Sequence, residues 1–362
     1  MGFSLGIIGL PNVGKSTLFN ALTKLHVPAE NFPFCTVNPN VGMVSIKDVR
    51  LNELSELINA VEVIPTTIEF IDIAGLVRGA SKGAGLGNQF LARIREVDGL
   101  IHIIRCFANQ NVSHVAGEIC PEKDIDVINI ELILKDIEIV EKRIDKIKPH
   151  LKSKDKIYNE EMEVLDKLKA HLDHENPVRE LKIEEKEKEF VKGYGLLTSK
   201  PIIYVANIND HTPDELIGQI RRRALRDSVE VLTLNALLEV ELLEDFEGEE
   251  AQELRQELGM EESGLEKLAQ IGYKALNLIT FFTLANKKLR AWTVEKNTLA
   301  PKAAGKIHTD MEKGFICAEV IPFDKLKEIG SWGRAKEMGE IKQEGKEYII
   351  CDGDVVTFKF HP

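Results

Sequence analysis

Nine residues near the start, Gly9-Leu10-Pro11-Asn12-Val13-Gly14-Lys15-Ser16-Thr17, constrain this chain more than any others. They spell G-x-x-x-x-G-K-S between an apolar run, Phe3 to Gly9, and the helical pattern STLFNALTKL. A strand, a glycine-rich turn and a helix in that order make an anion cradle, because backbone N–H groups of the turn and of the helix N-terminus converge on a phosphate. The spacing assigns the β-phosphate to the N–H groups of Asn12, Val13, Gly14, Lys15, Ser16 and Thr17. Lys15 would bridge the β- and γ-oxygens, and the Ser16 hydroxyl would ligate Mg2+.

Further short apolar runs follow at Asn40–Ile46, Ile68–Ile73, Leu100–Phe107, Pro201–Ile208 and Val229–Leu234. Their alternation with helical patterns predicts an α/β fold, a doubly wound and mostly parallel sheet. From roughly Glu131 to Lys192 about half the residues are charged, with both signs mixed. Ile130, Ile133, Leu134, Ile137, Val140, Ile144, Ile147 and Leu151 recur there at helical spacing. Tyr158, Met162, Leu165, Leu168 and Leu172 form a second stripe, so the segment reads as an antiparallel helical hairpin. The acidic stretch LLEVELLEDFEGEEAQELRQELG reads as one helix, and Gly264–Leu278 as another. From Ile279 onward ITFFTL, LRAWTV, GFICAEVIPF and DGDVVTFKF are short strands around one helix, a small α+β domain.

A net charge of −12 excludes a chain whose whole surface grips nucleic acid, so any such face is confined. Local basic clusters occur at Arg221-Arg222-Arg223, at Lys287, Lys288 and Arg290, and at Lys302 and Lys306. The last two lie near Phe281, Phe282 and Trp292, which would suit an RNA backbone with aromatic stacking. Five cysteines, at 35, 106, 120, 317 and 351, have no C-x-x-C pair and read as reduced packing thiols. No signal segment or membrane-spanning run is present, so a soluble, cytoplasmic chain without a membrane partner is expected. Sequence-specific DNA is not expected as a partner, and a monomer is.

Asp72-Ile73-Ala74-Gly75 ends a predicted strand and fits an aspartate that holds Mg2+ through water, with the Gly75 N–H facing the γ-phosphate. Thr36, between the two motifs, is positioned to add a second hydroxyl ligand. Leu76 stands where many GTPases carry a water-orienting Gln, and it has no polar atom. Hydrolysis must then be slow, or another group must enter. His114 is the candidate catalytic group, as an imidazole that orients or deprotonates water. Asn12 offers a second route by holding K+ beside the phosphates. Asn207-Ile208-Asn209-Asp210 follows a predicted strand, at the place where an Asn-Lys-x-Asp loop would read a purine. Asn207 can accept from adenine N6–H2 or donate to N7, Ile208 offers an apolar face, and Asp210 can accept from guanine donors. Backbone N–H groups of Asn235 or Ala236 complete the candidate base pocket.

The glycine-rich IDIAGLVRGASKGAGLGNQFLARIREVD is similar to the second switch of the Obg branch of P-loop GTPases. Together with NFPFCTVNPNVG, the helical insert, NIND and the ending DGDVVTFKFHP, essentially the whole chain resembles the Obg-like ATPase (YchF) family of ribosome-associated proteins. The resemblance implies a core domain over 1–277, interrupted by a coiled-coil insert at about 128–198. It also implies a TGS domain, a ubiquitin-like β-grasp, over 278–362. It further implies ATP preferred over GTP, and ribosome or RNA contacts through the TGS domain; the charged arm, projecting from the sheet domain, is a second candidate docking surface for them. Family members often carry Glu where Asp210 stands, so the strictness of the adenine preference stays open here. Two rival readings stay open as well: a strict GTPase of the same fold, and a non-hydrolysing adaptor in which nucleotide only props the core.

Overall fold

The computed structural model describes residues 2–25, 40–73, 86–108, 119–152, 156–246, 249–257, 262–285 and 288–361. Two compact units emerge. Among the described residues, one takes in 2–25, 40–42 and 69–268, and the other takes in 43–68 and 269–361.

The first unit is built on β1 (Ser4–Ile8), followed by α1 (Lys15–Lys24). Strand β2 (Val41–Ser45) leads to α2 (Val49–Ile58) and the short β3 (Glu62–Ile64), which belong to the second unit, and then to β4 (Thr67–Asp72). Then come α3 (Leu86–Glu96), β5 (Gly99–Arg105), α4 (Pro121–Ile147), α5 (Lys156–Asp173), α6 (Glu185–Tyr194) and β6 (Ile202–Asn207). Helix α7 (Asp214–Asp227), β7 (Glu230–Leu234), α8 (Ala236–Asp245) and α9 (Glu249–Glu257) complete it, and α10 (Gly264–Ala275) leads onward. The sheet order is β2-β4-β1-β5-β6-β7, with β4, β1, β5, β6 and β7 all parallel. Every residue of β1, β5 and β6 is buried, which is why those segments read as unbroken apolar runs rather than alternating ones. The acidic stretch expected as one helix is two, because Phe246 turns extended after α8.

In the insert, α4 and α5 pack through Ile133, Val140, Ile144, Leu165, Leu168 and Leu172, all buried. Ile130 and Leu134, assigned to the same stripe from spacing, are each 39% exposed and lie off the seam. Arg143 crosses to Glu161 with a two-pronged ion pair (2.7 and 3.0 Å), to which the Tyr194 hydroxyl also donates (3.0 Å). The fully buried Asp136 accepts from the N–H groups of Leu197 and Thr198 (2.7 and 2.8 Å) and from the Thr198 hydroxyl (2.6 Å). This carboxylate pins α4 to the turn that enters β6.

The second unit carries β8 (Leu278–Ala285), β9 (Lys288–Glu295), α11 (Ala300–Ile307), α12 (Thr309–Lys313) and β10 (Phe315–Pro322). It continues with α13 (Phe323–Ile329), α14 (Trp332–Glu337), β11 (Lys342–Glu344) and β12 (Asp354–Phe360). Strand β12 returns parallel to β8, beside the antiparallel hairpin β8–β9, and this is the expected β-grasp. Among the described residues after Ile279 it holds four helices where the sequence suggested one. The sheet order is β11-β10-β12-β8-β9-β3. Its edge strand β3, parallel to β9, therefore comes from the segment between the glycine-rich turn and Asp72.

Both faces of this sheet are covered. Phe281, Val294, Ala303, Ala304, Val320 and Phe358 form one core. On the other face Leu51 and Leu54 of α2 join Phe282, Leu289, Ile321 and Leu326. Arg50 on α2 is held by Asp48 and by Asp352 (2.7 and 2.8 Å) and lies over the Phe282 ring. Residues 43–68, expected within the 1–277 domain, thus pack with the C-terminal unit.

Phe281 and Phe282 are fully buried, so neither is available to stack on RNA. Arg290 covers Trp292 at 4.0 Å from the ring centroid, Lys288 pairs with Glu62 (2.5 Å) and Lys302 with Glu312 (2.6 Å). Of the arginine triplet, Arg222 pairs with Glu215, and Arg223 with Asp126 and Asp227. Several cations of the basic clusters are thus paired with carboxylates or laid over a ring.

Candidate functional site

Parallel register brings the candidate residues to one edge of the first sheet. Ile7 lies beside Asp72, Ile8 beside His102, and Arg105 beside Asn207, whose other neighbour is Leu234. The loops after β1, β4, β5, β6 and β7 therefore all leave from the carboxyl ends of the strands. In open α/β sheets ligands bind there, where strand order reverses across β1.

The glycine-rich turn has one feasible backbone course. Gly9 approaches β5 so closely that a Cβ would sit 2.6 Å from the Ile103 carbonyl oxygen. Gly14 has φ 102°, and a Cβ there would strike the Asn207 carboxamide. Asn12 also takes a left-handed conformation (φ 63°) and is exposed. Val13 is buried and ties the turn to the core. Helix α1 starts after Gly14 with no side-chain cap and no acidic residue in its first turn. Its first N–H groups lack intrahelical acceptors, so the positive end of the helix is open to an anion.

Lys15 is buried and arches back over the turn, donating to the carbonyl oxygens of Gly9 (3.2 Å) and Leu10 (2.7 Å). Burial lowers its pKa to about 8, against the opposing pull of Asp72. Neutral carbonyls compensate a buried ammonium poorly, so an arriving polyphosphate supplies the charge that the site lacks. Burial raises the Asp72 carboxyl above its usual range, while Lys15 and Arg93 act to hold it down. Ser16 is exposed and Asp72 half-buried, which gives two hard oxygen donors. Among the described residues no three His, Cys, Asp or Glu side chains group as a metal cage. That donor set fits Mg2+, which keeps waters and leans on substrate phosphates.

Groups expected in the base pocket also make bonds within the protein. The Asn207 side chain is buried, donates to the Val13 carbonyl (2.9 Å) and accepts from the Ala236 N–H (3.1 Å). One lone pair of its oxygen and the Ala236 N–H are thereby engaged with each other. Asn235 uses its carboxamide to cap α8 through the Leu238 N–H (3.2 Å). Asn209 closes an Asx turn onto His211 and Thr212 (3.1 Å each), which leaves Ile208 half-buried and Asp210 exposed. Thr36, Gly75, Leu76 and His114 lie outside the described residues.

Arg105 was not anticipated. It is buried at the end of β5, donates to the Phe107 carbonyl (2.9 Å) and reaches the Asn12 carbonyl (3.5 Å). An arginine within the mostly apolar run LIHIIRCF was the available signal.

Residues 4–143 match a family described as a 50S ribosome-binding GTPase, and residues 278–361 match the YchF-GTPase C-terminal family, described as a protein of unknown function. The chain is 47% identical to the ribosome-binding ATPase YchF of Bacillus subtilis over the full length of both. It is equally similar, 47%, to that of Escherichia coli O157:H7, again over the whole of both chains. The chain belongs to the YchF family. The solved Schizosaccharomyces pombe YchF GTPase superposes with a TM-score of 0.88 at 33% identity, covering 99% of this chain and 98% of that one. A GTP-binding protein of Pyrococcus horikoshii OT3 shares the fold, with a TM-score of 0.63 at 19% identity.

Proposed function

We propose that this chain is a nucleotide-dependent switch of the cytoplasm that binds ATP, and GTP less well, hydrolyses it slowly, and associates with ribosomes. The observation that carries the reading is the uncapped start of α1 beneath a buried Lys15 whose only hydrogen-bond acceptors among the described residues are loop carbonyls. The YchF relatives, named as ribosome-binding ATPases, support the substrate and the partner.

In this reading the N–H groups of residues 12–17 cradle the β-phosphate, and Lys15 leaves Gly9 and Leu10 to meet the β- and γ-oxygens. Ser16 and Thr36 would hold Mg2+ directly and Asp72 would hold it through water. Held there, the ion would supply positive charge against the phosphoryl oxygens. Gly75 would face the γ-phosphate, and His114 would orient the water that Leu76 cannot. Asn207 keeps one Nδ2 proton for purine N7, beside Ile208 and the exposed Asp210.

The test is titration of the purified chain with fluorescent ATP and GTP analogues, with turnover of labelled nucleotide measured with and without ribosomes. Tighter ATP binding and ribosome-responsive turnover are expected. Equal or tighter GTP binding would transfer the reading to a GTPase, and absence of turnover under both conditions would transfer it to an adaptor. Lys15→Ala should lower turnover by about a hundredfold or more. His114→Ala should lower kcat much more than affinity.

A further inference from the structure

A groove of about 920 Å3 opens in the first unit where α3, α4, α5 and α6 meet. Its floor is apolar and aromatic: Leu91, Ile139, Tyr158, Phe190 and Tyr194, with Ile157 standing 57% exposed at the margin. Cations line it along one face of α4, where Lys135, Lys142, Arg143 and Lys146 fall at helical spacing around Ile139. Arg95 of α3 adds a further cation.

Among the described residues two carboxylates line the groove, Glu161 and Glu189. Glu161 is consumed by Arg143 and the Tyr194 hydroxyl, and Lys135 pairs with Glu138 outside the lining. Arg95 and Lys146 are exposed and have no ion pair among the described residues. Lys142 is 76% exposed and reaches Glu138 only at 4.0 Å.

We infer that this groove is a docking site for an acidic amphipathic helix of a partner protein, seated with its apolar face on Ile139, Ile157 and Phe190 and its carboxylates against Arg95, Lys142 and Lys146. An apolar floor with a cationic rim is the complement of such a helix, which reads as anchors at i, i+3, i+4 and i+7. The volume suits the ligand, since two turns of helix, ~11 Å long and ~10 Å across, fill roughly that space.

Nucleic acid fits less well. Tyr158 already has one ring face stacked on His150 (5.1 Å between centroids, 22° between planes). The Glu161 carboxylate is also buried in the floor, where a phosphate backbone would meet it. The inference stands apart from the nucleotide reading, because no residue of the phosphate cradle lines the groove.

The test uses the full chain and a fluorescein-labelled synthetic 18-residue peptide, with Leu and Phe at the four anchor positions and Glu elsewhere on the flanks. Anisotropy titration should give saturable binding that weakens with salt, with residual affinity from the apolar anchors. Arg95→Glu with Lys146→Glu should lower affinity at least tenfold, and Ile157→Ser should lower it several-fold. Lys146→Met is a milder variant and should give an intermediate loss. Far-UV circular dichroism and nucleotide binding, which these exposed positions do not serve, should match those of the unmodified chain.

Equal binding of a scrambled peptide, or affinity indifferent to the charge reversal in a folded variant, would overturn the proposal. So would tighter binding of a short RNA duplex with the same dependence on Arg95 and Lys146. A dimer in sedimentation that dissolves on the charge reversal would instead make the occupant a second copy of this chain.

Discussion

Asn207 links three loops with one carboxamide. Its Nδ2 group holds the Val13 carbonyl of the phosphate turn, and its oxygen holds the Ala236 N–H at the start of α8. Replacing it with Ala strands a buried acceptor and a buried donor, each costing ~1–3 kcal/mol. Asn207→Ala should therefore lower stability by about 2–4 kcal/mol in urea unfolding and weaken ATP and GTP analogues alike, since the cradle rather than base choice is disturbed. His102 makes a different prediction. It is fully buried on β5, edge-on to Tyr204 at 5.8 Å, and burial takes its pKa from the usual 6.5 down to about 3. A depressed folded-state pKa means that the unfolded chain binds the extra proton, so stability is full above pH 6.5 and falls as pH drops toward 3. The loss from this group should approach ~1.4 kcal/mol per pH unit. His102→Phe should remove that slope, and parallel unfolding curves for the two proteins between pH 7 and pH 4 would contradict it.

At the scale of elements, the arm depends on Asp136 as much as on its apolar seam. Three donors converge on this buried carboxylate from the turn before β6. Burial raises its pKa, and the hydrogen bonds from Thr198 and Leu197 oppose that rise. Asp136→Ala should cost ~3–5 kcal/mol, read as faster hydrogen exchange at residues 196–199 before any change at β1 or β5. The core strands were legible because burial on both faces writes unbroken apolar runs. Phe3–Gly9 and Pro201–Ile208 each bracket the observed strand within a residue or two. The glycine-rich turn was legible because its chemistry is local. Strand β3 was not, since three residues, Glu62-Val63-Ile64, carry too short an alternation to read. Nor could spacing reveal that Asn207 and Ala236 satisfy each other, because that bond joins positions from different loops.

For the whole molecule, the C-terminal unit is not coextensive with the C-terminal sequence. Without residues 43–68 its sheet would lose the β3 edge and expose Phe282, Leu289 and Ile321 on one face. An excised 278–362 fragment should bind a hydrophobic dye and aggregate, whereas the same fragment supplied with 43–68 through a flexible linker should unfold cooperatively. Leu54→Ala, at a fully buried position, should cost ~2–5 kcal/mol and open the C-terminal unit to protease. Protease resistance equal to that of the unmodified chain would refute the packing role of α2.

The same shared sheet shapes how the chain is made. Leu51, Leu54 and β3 leave the synthesising ribosome more than two hundred residues before β9, the strand they must join. At 5–20 residues per second that is a wait of roughly 10 to 45 s, with an apolar helix face and an unpaired strand edge uncovered. A newborn copy of this protein should therefore be most dependent on chaperones during that interval, and least so once Phe360 has emerged and the last strand can close.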